Sequence, residues 1–296
     1  MFKKIINNSL NGKYGDHISH LFRGARSIKH DIERKEKNIF KRFIIRTLSG
    51  YLPRLFLYNK KNTLIGQKLK KNGFCEINSL NVDLVDKLIK EFVDFCSKQY
   101  SLKFENLNDV IKFMEKEDIQ QSKKLHLTNS SGLIKLLFGT TDLIKISEDY
   151  LNEKKEKLRF MVRIFSLAKT QKDDTTRDSY NALEFHRDFD HFKFIKFFYY
   201  LTDCFEGCGH HEYILNSHTG MNFFLAPNKR FTMNQILQKL KNSELKKVVG
   251  KSGTGFAEDT FGFHRGTLVK NGFRLMILVL VKPSGCFTDD TEFAIN

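Results

Sequence analysis

His186 and Asp188 stand two residues apart in Phe185-His-Arg-Asp; His264 opens a second His-Arg pair about 75 residues later, and Arg274 follows in Asn-Gly-Phe-Arg. Two imidazoles and one carboxylate are the donor set that holds non-haem Fe(II) on one face and leaves the other coordination positions open. On an extended segment residues i and i+2 share a face, so His186 and Asp188 point together and Arg187 points away. His264 must then arrive from a distant strand. Three protein ligands leave room for a chelating co-substrate and dioxygen. The planar fork of Arg274 suits the far carboxylate of a dicarboxylic co-substrate. It lies in the otherwise apolar run Gly272-Phe-Arg-Leu-Met-Ile-Leu-Val-Leu-Val, where an arginine requires an anion.

Other readings of the same residues compete. A bare His-x-Asp arises by chance in surface turns, and Asp188-x-Asp190 with His191 is an overlapping ligand set. Arg274 has Glu258 and Asp259 as alternative structural partners. Cys204, Cys208, His210 and His211 resemble a small zinc cluster but lack a second separated ligand pair. His210, His211 and His218 are better read as histidines satisfied by backbone or by the wall of the site. Arg163 either faces the interior toward a substrate anion or pairs at the surface. Lys251-Ser-Gly-Thr-Gly lacks the spacing of a phosphate-binding loop. The ordered set His-x-Asp, His, Arg, each at a strand edge, is what favours the iron reading.

The elements that must position these residues change character along the chain. An Asn-Gly turn at 72–73 introduces a short strand, and apolar spacing predicts helices over Val82–Gln99, Leu107–Lys116 and Ser131–Leu151. Strand patterns follow at Phe160–Leu167, Phe192–Leu201, His211–Leu215, Met221–Leu225, Phe261–His264 and Phe273–Val281, with a helical insertion at Phe231–Val249. Helices followed by many strands predict an α+β fold, with helices packed on one antiparallel β unit.

The longest unbroken apolar run, Leu275–Val281, is far too short to span a bilayer. The opening residues hold no apolar stretch of secretory length. Five cysteines, mostly far apart, form no disulfide framework and fit a reducing compartment, so a cytoplasmic location is expected. Residues 1–71 carry 18 Lys and Arg against four acids, so most of the net charge of +16 belongs to the N-terminal segment. A nearly neutral remainder argues against nucleic-acid binding by the main domain.

At the metal-ligand motifs the chain resembles the phytanoyl-CoA dioxygenase-like branch of the Fe(II)/2-oxoglutarate oxygenases. The resemblance runs from Leu69-Lys-Lys-Asn-Gly-Phe to Val281 and takes in Phe185-His-Arg-Asp, the stretch ending in Ser217-His218, His264-Arg-Gly and Gly272-Phe-Arg. It implies a double-stranded β-helix (a cupin-like jelly roll) with flanking helices, with metal ligands His186, Asp188 and His264. It also implies 2-oxoglutarate as co-substrate, contacted by Arg274. Thr267, beside a Gly266 where some members carry a hydroxyl, and Lys169 in Ser166-Leu-Ala-Lys-Thr are further candidates for co-substrate contact. The implied reaction is oxidative decarboxylation of 2-oxoglutarate coupled to hydroxylation of an organic substrate, a small molecule or one linked to a carrier, lipid or sugar. Leu215-Asn216 replaces the family's usual Pro-Gly before Ser-His, so the loop near the substrate differs. The presence of Asp188 disfavours the halogenating variant of this chemistry.

Residues 1–63 lie outside the resemblance and form a basic extension preceding a 64–296 oxygenase domain. Ile39, Phe40, Phe43, Ile44 and Leu48 recur at helical spacing with Lys41, Arg42 and Arg46 between them, and Ser49-Gly50 stops the pattern. Such a helix either docks on the core with its basic face in water or lies on an anionic membrane surface. A different class of function, a non-catalytic basic adaptor binding a membrane or nucleic acid through this segment, would show no iron affinity and a steep salt dependence. If the extension recruits the protein to a surface, the full chain pellets with anionic but not neutral vesicles. The attraction fades as salt shortens the Debye length below about 8 Å, and a version starting at Leu64 stays in solution. Equal pelleting of both versions would show that the extension does not recruit.

Overall fold

A computed structural model describes residues 63–169, 183–188, 190, 194–218, 230–239, 244–284 and 291–295. The basic extension, apart from Thr63, and the strand expected at Met221–Leu225 lie outside the described residues. Helices come first. α1 (Leu64–Asn72) is capped by the Thr63 hydroxyl and ends at Gly73, whose φ of 73° only glycine adopts without strain. β1 (Phe74–Ile77) follows, then α2 (Val82–Tyr100) and α3 (Leu107–Lys116), the latter opened by a reciprocal Asn106–Asp109 capping box.

The single helix expected over Ser131–Leu151 is two, α4 (Gly132–Thr140) and α5 (Leu143–Leu151). The hydroxyls of Thr140 and Thr141 donate to the carbonyls of Leu136 and Leu137, and Thr141 turns extended, so local side-chain bonds end the first helix.

The strands are β2 (Leu125–Leu127), β3 (Leu158–Ala168), β4 (Ile195–Tyr200), β5 (His211–Ile214), β6 (Leu245–Val248), β7 (Gly255–Glu258), β8 (His264–Gly266) and β9 (Phe273–Pro283). They form two antiparallel sheets, β1-β7-β4-β9-β3-β2 and β6-β5-β8. Two facing sheets with helices outside constitute a jelly roll of the double-stranded β-helix type, without a closed barrel. The expected helical insertion at Phe231–Val249 is a short helix, α6 (Met233–Lys239), followed by β6, whose residues pair with β5 and so become strand. The strand expected at Phe261–His264 is instead a turn. The Asp259 carboxylate accepts from Phe261 N–H, Gly262 N–H donates to the Asp259 carbonyl, and β8 begins only at His264.

Side-chain parity sorts the strands between two cores. On β9, Leu275, Ile277, Val279 and Val281 pack with the helices, as do Phe160, Val162 and Ile164 of β3 and Phe197 and Tyr199 of β4. The alternate residues, Met276, Leu278 and Leu280 of β9 with Phe198 and Tyr200 of β4, face the space between the sheets. A third small cluster (Phe185, Ile214, Phe231, Ile236 and Phe263) backs the minor sheet against α6. β4 and β9 are buried on both faces, which is why they read as nearly continuous apolar runs. Among the described residues no helix is long and apolar enough to cross a membrane.

Gly262 has no room for a side chain, since a Cβ there would meet the Tyr213 hydroxyl and the Ser217 Oγ. Gly262→Ala is therefore expected to lower the unfolding free energy by about 1–3 kcal/mol. Urea denaturation with an unchanged m value would measure it.

Candidate metal centre

The segment holding His186 and Asp188 is stitched to the edge of the minor sheet. His186 and His264 exchange two backbone hydrogen bonds, each of 3.0 Å, and Asp188 N–H donates to the Thr260 carbonyl at 2.8 Å. The spacing-two rule holds on this segment. His186 and Asp188 face the space between the sheets, while Arg187 turns away, donates to the Ser217 carbonyl and lies 4.1 Å over the Phe263 ring.

One ligand atom from each of His186, Asp188 and His264 can be chosen so that all lie within 4.8 Å of one another. Nε2 of His264 is 3.3 Å from one Asp188 oxygen, and Nε2 of His186 is 3.9 Å from the other. In each imidazole the other ring nitrogen is committed: Nδ1 of His186 bonds the Glu184 carbonyl and Nδ1 of His264 bonds the Gly262 carbonyl, both at 3.0 Å. A carbonyl only accepts, so both Nδ1 atoms carry a proton and Nε2 is in each ring the nitrogen left to bind a metal or a second proton beside Asp188. This fixed tautomer and converging donor set fit a divalent transition metal.

Electrostatics agree. Burial, with His264 close by, pushes His186 down to about 3, so it is neutral and ready to ligate. Burial also opposes charge on His264, but the Asp188 carboxylate overrides it and raises its pKa. Burial works against the Asp188 charge too, yet the Lys196 ammonium and His264 hold this carboxyl well below its usual range.

Lys196 was not singled out from sequence, although the signal was present: one lysine inside the apolar Phe194–Tyr200 run, as with Arg274 on β9. Its parity on β4 turns it inward, and its ammonium lies 2.5 Å from Asp188 and 2.7 Å from Asp190. Asp190 is thus engaged by Lys196, and its alternative partner His191 lies outside the described residues. One carboxylate oxygen of Asp188 suffices for a metal, and Lys196 can hold the other and orient the group. His211, expected from sequence to be satisfied by backbone or by the wall of the site, stacks on His264 at 5.6 Å and lies 2.9 Å from the fully buried Glu258. Burial pushes that carboxyl up to about 8 and the His211 imidazole down, so the pair is uncharged near neutrality and packs beside the metal ligand without an added charge.

Arg274 is buried and faces the same cavity, a space of about 480 Å³ between the sheets. Neither Glu258 nor Asp259 pairs with it: Glu258 meets His211, and Asp259 accepts from Tyr150. Its Nη1 donates to the Gly209 carbonyl, and its Nε is buried without a hydrogen-bond acceptor. Burial lowers its pKa, but a guanidinium starts so far above neutrality that the charge stays. Thr267 lines the cavity too, its hydroxyl 3.0 Å from Nδ1 of His210. Lys169 follows β3, is exposed, and is not among the described residues lining the cavity. Cys204 and Cys208 are free thiols, and the one cluster of metal-binding type among the described residues is His186, Asp188 and His264.

No family model matches the sequence, and no curated protein matches it significantly. Solved structures overlay on it at low identity. AviO1 from Streptomyces viridochromogenes Tue57 aligns with TM-score 0.48 and 12% identity, covering 78% of this chain and 98% of its own. The non-haem α-ketoglutarate-dependent carbocyclase SnoK of nogalamycin biosynthesis aligns at 0.49 and 11%, over 80% and 97%. HygX from Streptomyces hygroscopicus, solved with nickel and 2-oxoglutarate, aligns at 0.42 and 16%, over 73% and 85%. At this distance function has to rest on the site's own residues.

Substituting alanine for His186, Asp188 or His264 is expected to abolish tight binding of Fe(II) or Co(II) in anaerobic calorimetry. A variant keeping wild-type affinity would remove that residue from the ligand set. Metal and proton compete for Nε2 of His264, whose pKa is raised. Affinity should therefore increase as pH climbs through its titration range above 6.5, with proton release on binding.

Proposed function

We propose that the protein is an Fe(II)- and 2-oxoglutarate-dependent oxygenase that hydroxylates an organic substrate. The observation that carries this reading is the convergence of His186, Asp188 and His264 with both imidazole tautomers fixed by backbone carbonyls. Arg274 supports the co-substrate. It is a buried guanidinium with an unsatisfied Nε in the same cavity, suited to the far carboxylate of 2-oxoglutarate. With iron bound, the centre would supply the chemistry that couples oxidative decarboxylation of 2-oxoglutarate to oxidation of the substrate.

The chain's own residues do the rest. Lys196 steadies the Asp188 carboxylate, and the neutral His211–Glu258 pair walls the site beside His264. Phe165, Phe198, Met276 and Leu278 give the cavity an apolar surface that limits water near the reacting carbon. The phytanoyl-CoA dioxygenase-like assignment rests on the motifs around His186, His264 and Arg274 alone.

The direct test is 2-oxoglutarate-dependent succinate formation with Fe(II), scored across a substrate screen. Absence of succinate with intact metal binding would overturn the reading. Arg274→Ala should spare metal binding but raise the 2-oxoglutarate requirement by at least about tenfold, the equivalent of a charge-assisted pair of about 1.5–3 kcal/mol. An unchanged requirement would move the co-substrate carboxylate to another cation.

A further inference from the structure

A second cleft opens on the helical side of the six-stranded sheet, across β4 from the metal centre, and Tyr199 is its floor. Lys196 and Phe198 line the cavity between the sheets, and strand alternation sends Tyr199 the other way, among the helices. Its partner on β7 is Gly255, where a Cβ would collide with Cε1 of the Tyr199 ring and also crowd Ile77 of β1. The ring therefore lies across the bare backbone of β7 and reaches toward the edge strand β1, into a cleft of about 190 Å³. Tyr199 is only 1% exposed, yet its hydroxyl meets no hydrogen-bond partner among the described residues. A buried phenol normally bonds to something, and the open side of this one is the cleft.

The groups around that hydroxyl are mostly acceptors. The remaining polar wall is the α4–α5 junction together with the segment that follows β1. Thr140 and Thr141 donate their hydroxyl protons to the carbonyls of Leu136 and Leu137, so each offers the cleft only lone pairs. Asp142 stands at the N-cap position of α5 but makes no capping bond, which leaves its carboxylate to the cleft. Burial, and then Asp142, push the Tyr199 phenol above its ordinary range, which places the two side chains in one field. No Lys, Arg or His lines the cleft, and α4 has no basic residue in its last turn to meet the negative end of its dipole. Ile65, Ile77 and Ile146 make the apolar sides. The space suits an organic group, since a single water needs only about 10–15 Å³. One carboxylate is a poor cage for a hard divalent ion but matches a single ammonium charge.

We propose that this cleft binds a primary alkylammonium group, its N–H donors on the oxygens of Asp142, Thr141 and Tyr199 and its carbons against the three isoleucines. The proposal stands independently of the oxygenase reading, because the cleft and the metal centre lie on opposite faces of β4. Two sources present this chemistry, a free short-chain amine and the side chain of a lysine on another protein.

The test is a calorimetric titration of the full-length protein at pH 7 with butylamine, Nα-acetyl-lysine amide, butyltrimethylammonium and butanol. Butylamine should saturate one site. Butyltrimethylammonium, which keeps the charge but has no N–H, and butanol, which has no charge, should each bind at least about tenfold more weakly. Tighter binding of the lysine derivative than of butylamine would identify a protein lysine as the source, and the reverse order a free amine. Asp142→Asn should weaken butylamine at least about tenfold. Tyr199→Phe, which keeps the ring and its packing, should weaken it about threefold or more. Both variants should bind Ni(II) as the wild type does, which a merely misfolded chain would not.

Equal binding of butylamine and butanol would overturn the proposal, as would wild-type affinity for butylamine in Asp142→Asn. Loss of butylamine binding once Ni(II) is loaded would also overturn it, by moving the amine to the metal cavity. Failure of the wild type to bind Ni(II) would count against the metal centre alone and leave the amine titration decisive for the cleft.

Discussion

The candidate site depends on the antiparallel bridge between His186 and His264. Its two backbone hydrogen bonds fix how far apart the two imidazoles sit, and the bond from Asp188 N–H to the Thr260 carbonyl fixes the third ligand on the same edge. Each ring is then locked by a carbonyl two residues earlier in its own chain, Glu184 or Gly262. The donors are therefore positioned by main chain, which has few soft degrees of freedom, and by bonds local to each ligand. The tight turn at 259–263, with Tyr150 of α5 bonded to Asp259, ties this edge back to the helical layer.

The second constraint is strand alternation. β3, β4 and β9 must be apolar on their outer face because five helices and the ordered C-terminal Phe293 cover that side. Every polar side chain these strands contribute to the site is consequently of the opposite parity: Arg163, Lys196 and Arg274. Register finishes the placement. It sets Arg274 beside Leu167 and Arg163 beside Leu278, so two guanidiniums of one sheet face end up separated by apolar rungs rather than adjacent. A one-residue slip of β9 would bury Leu275 in the cavity and turn Arg274 into the helical core, where it would meet no counter-charge.

Such an interior is costly. Lys196, Arg274 and Glu258 are all nearly inaccessible, and each buried ion or carboxyl forfeits hydration that its bonds only partly return. Cores optimised for stability alone would replace them with apolar residues. Their retention inside an otherwise aromatic and aliphatic shell is the energetic mark of a binding cavity.

Much of this was legible in the residues themselves. His-x-Asp, a distant His and an arginine in an apolar strand named the groups that converge on one cavity, because donor chemistry and period-two geometry are local properties. Long amphipathic helices such as Val82–Tyr100 were legible for the same reason. What sequence could not decide depended on partners far away in the chain. Residues 245–248 look helical until β5 pairs with them, and 261–263 look extended until Asp259 turns them. Lys169 looks as well placed as Lys196, yet only Lys196 faces the ligand carboxylate, since β4 is flanked by β7 and β9 and its even residues have nowhere to point but inward. The chain by itself determined which groups could hold a metal and an acid. Only the register within the six-stranded sheet decided which cations share one cavity, because that register is set by hydrogen bonds between β3 and β9, more than a hundred residues apart.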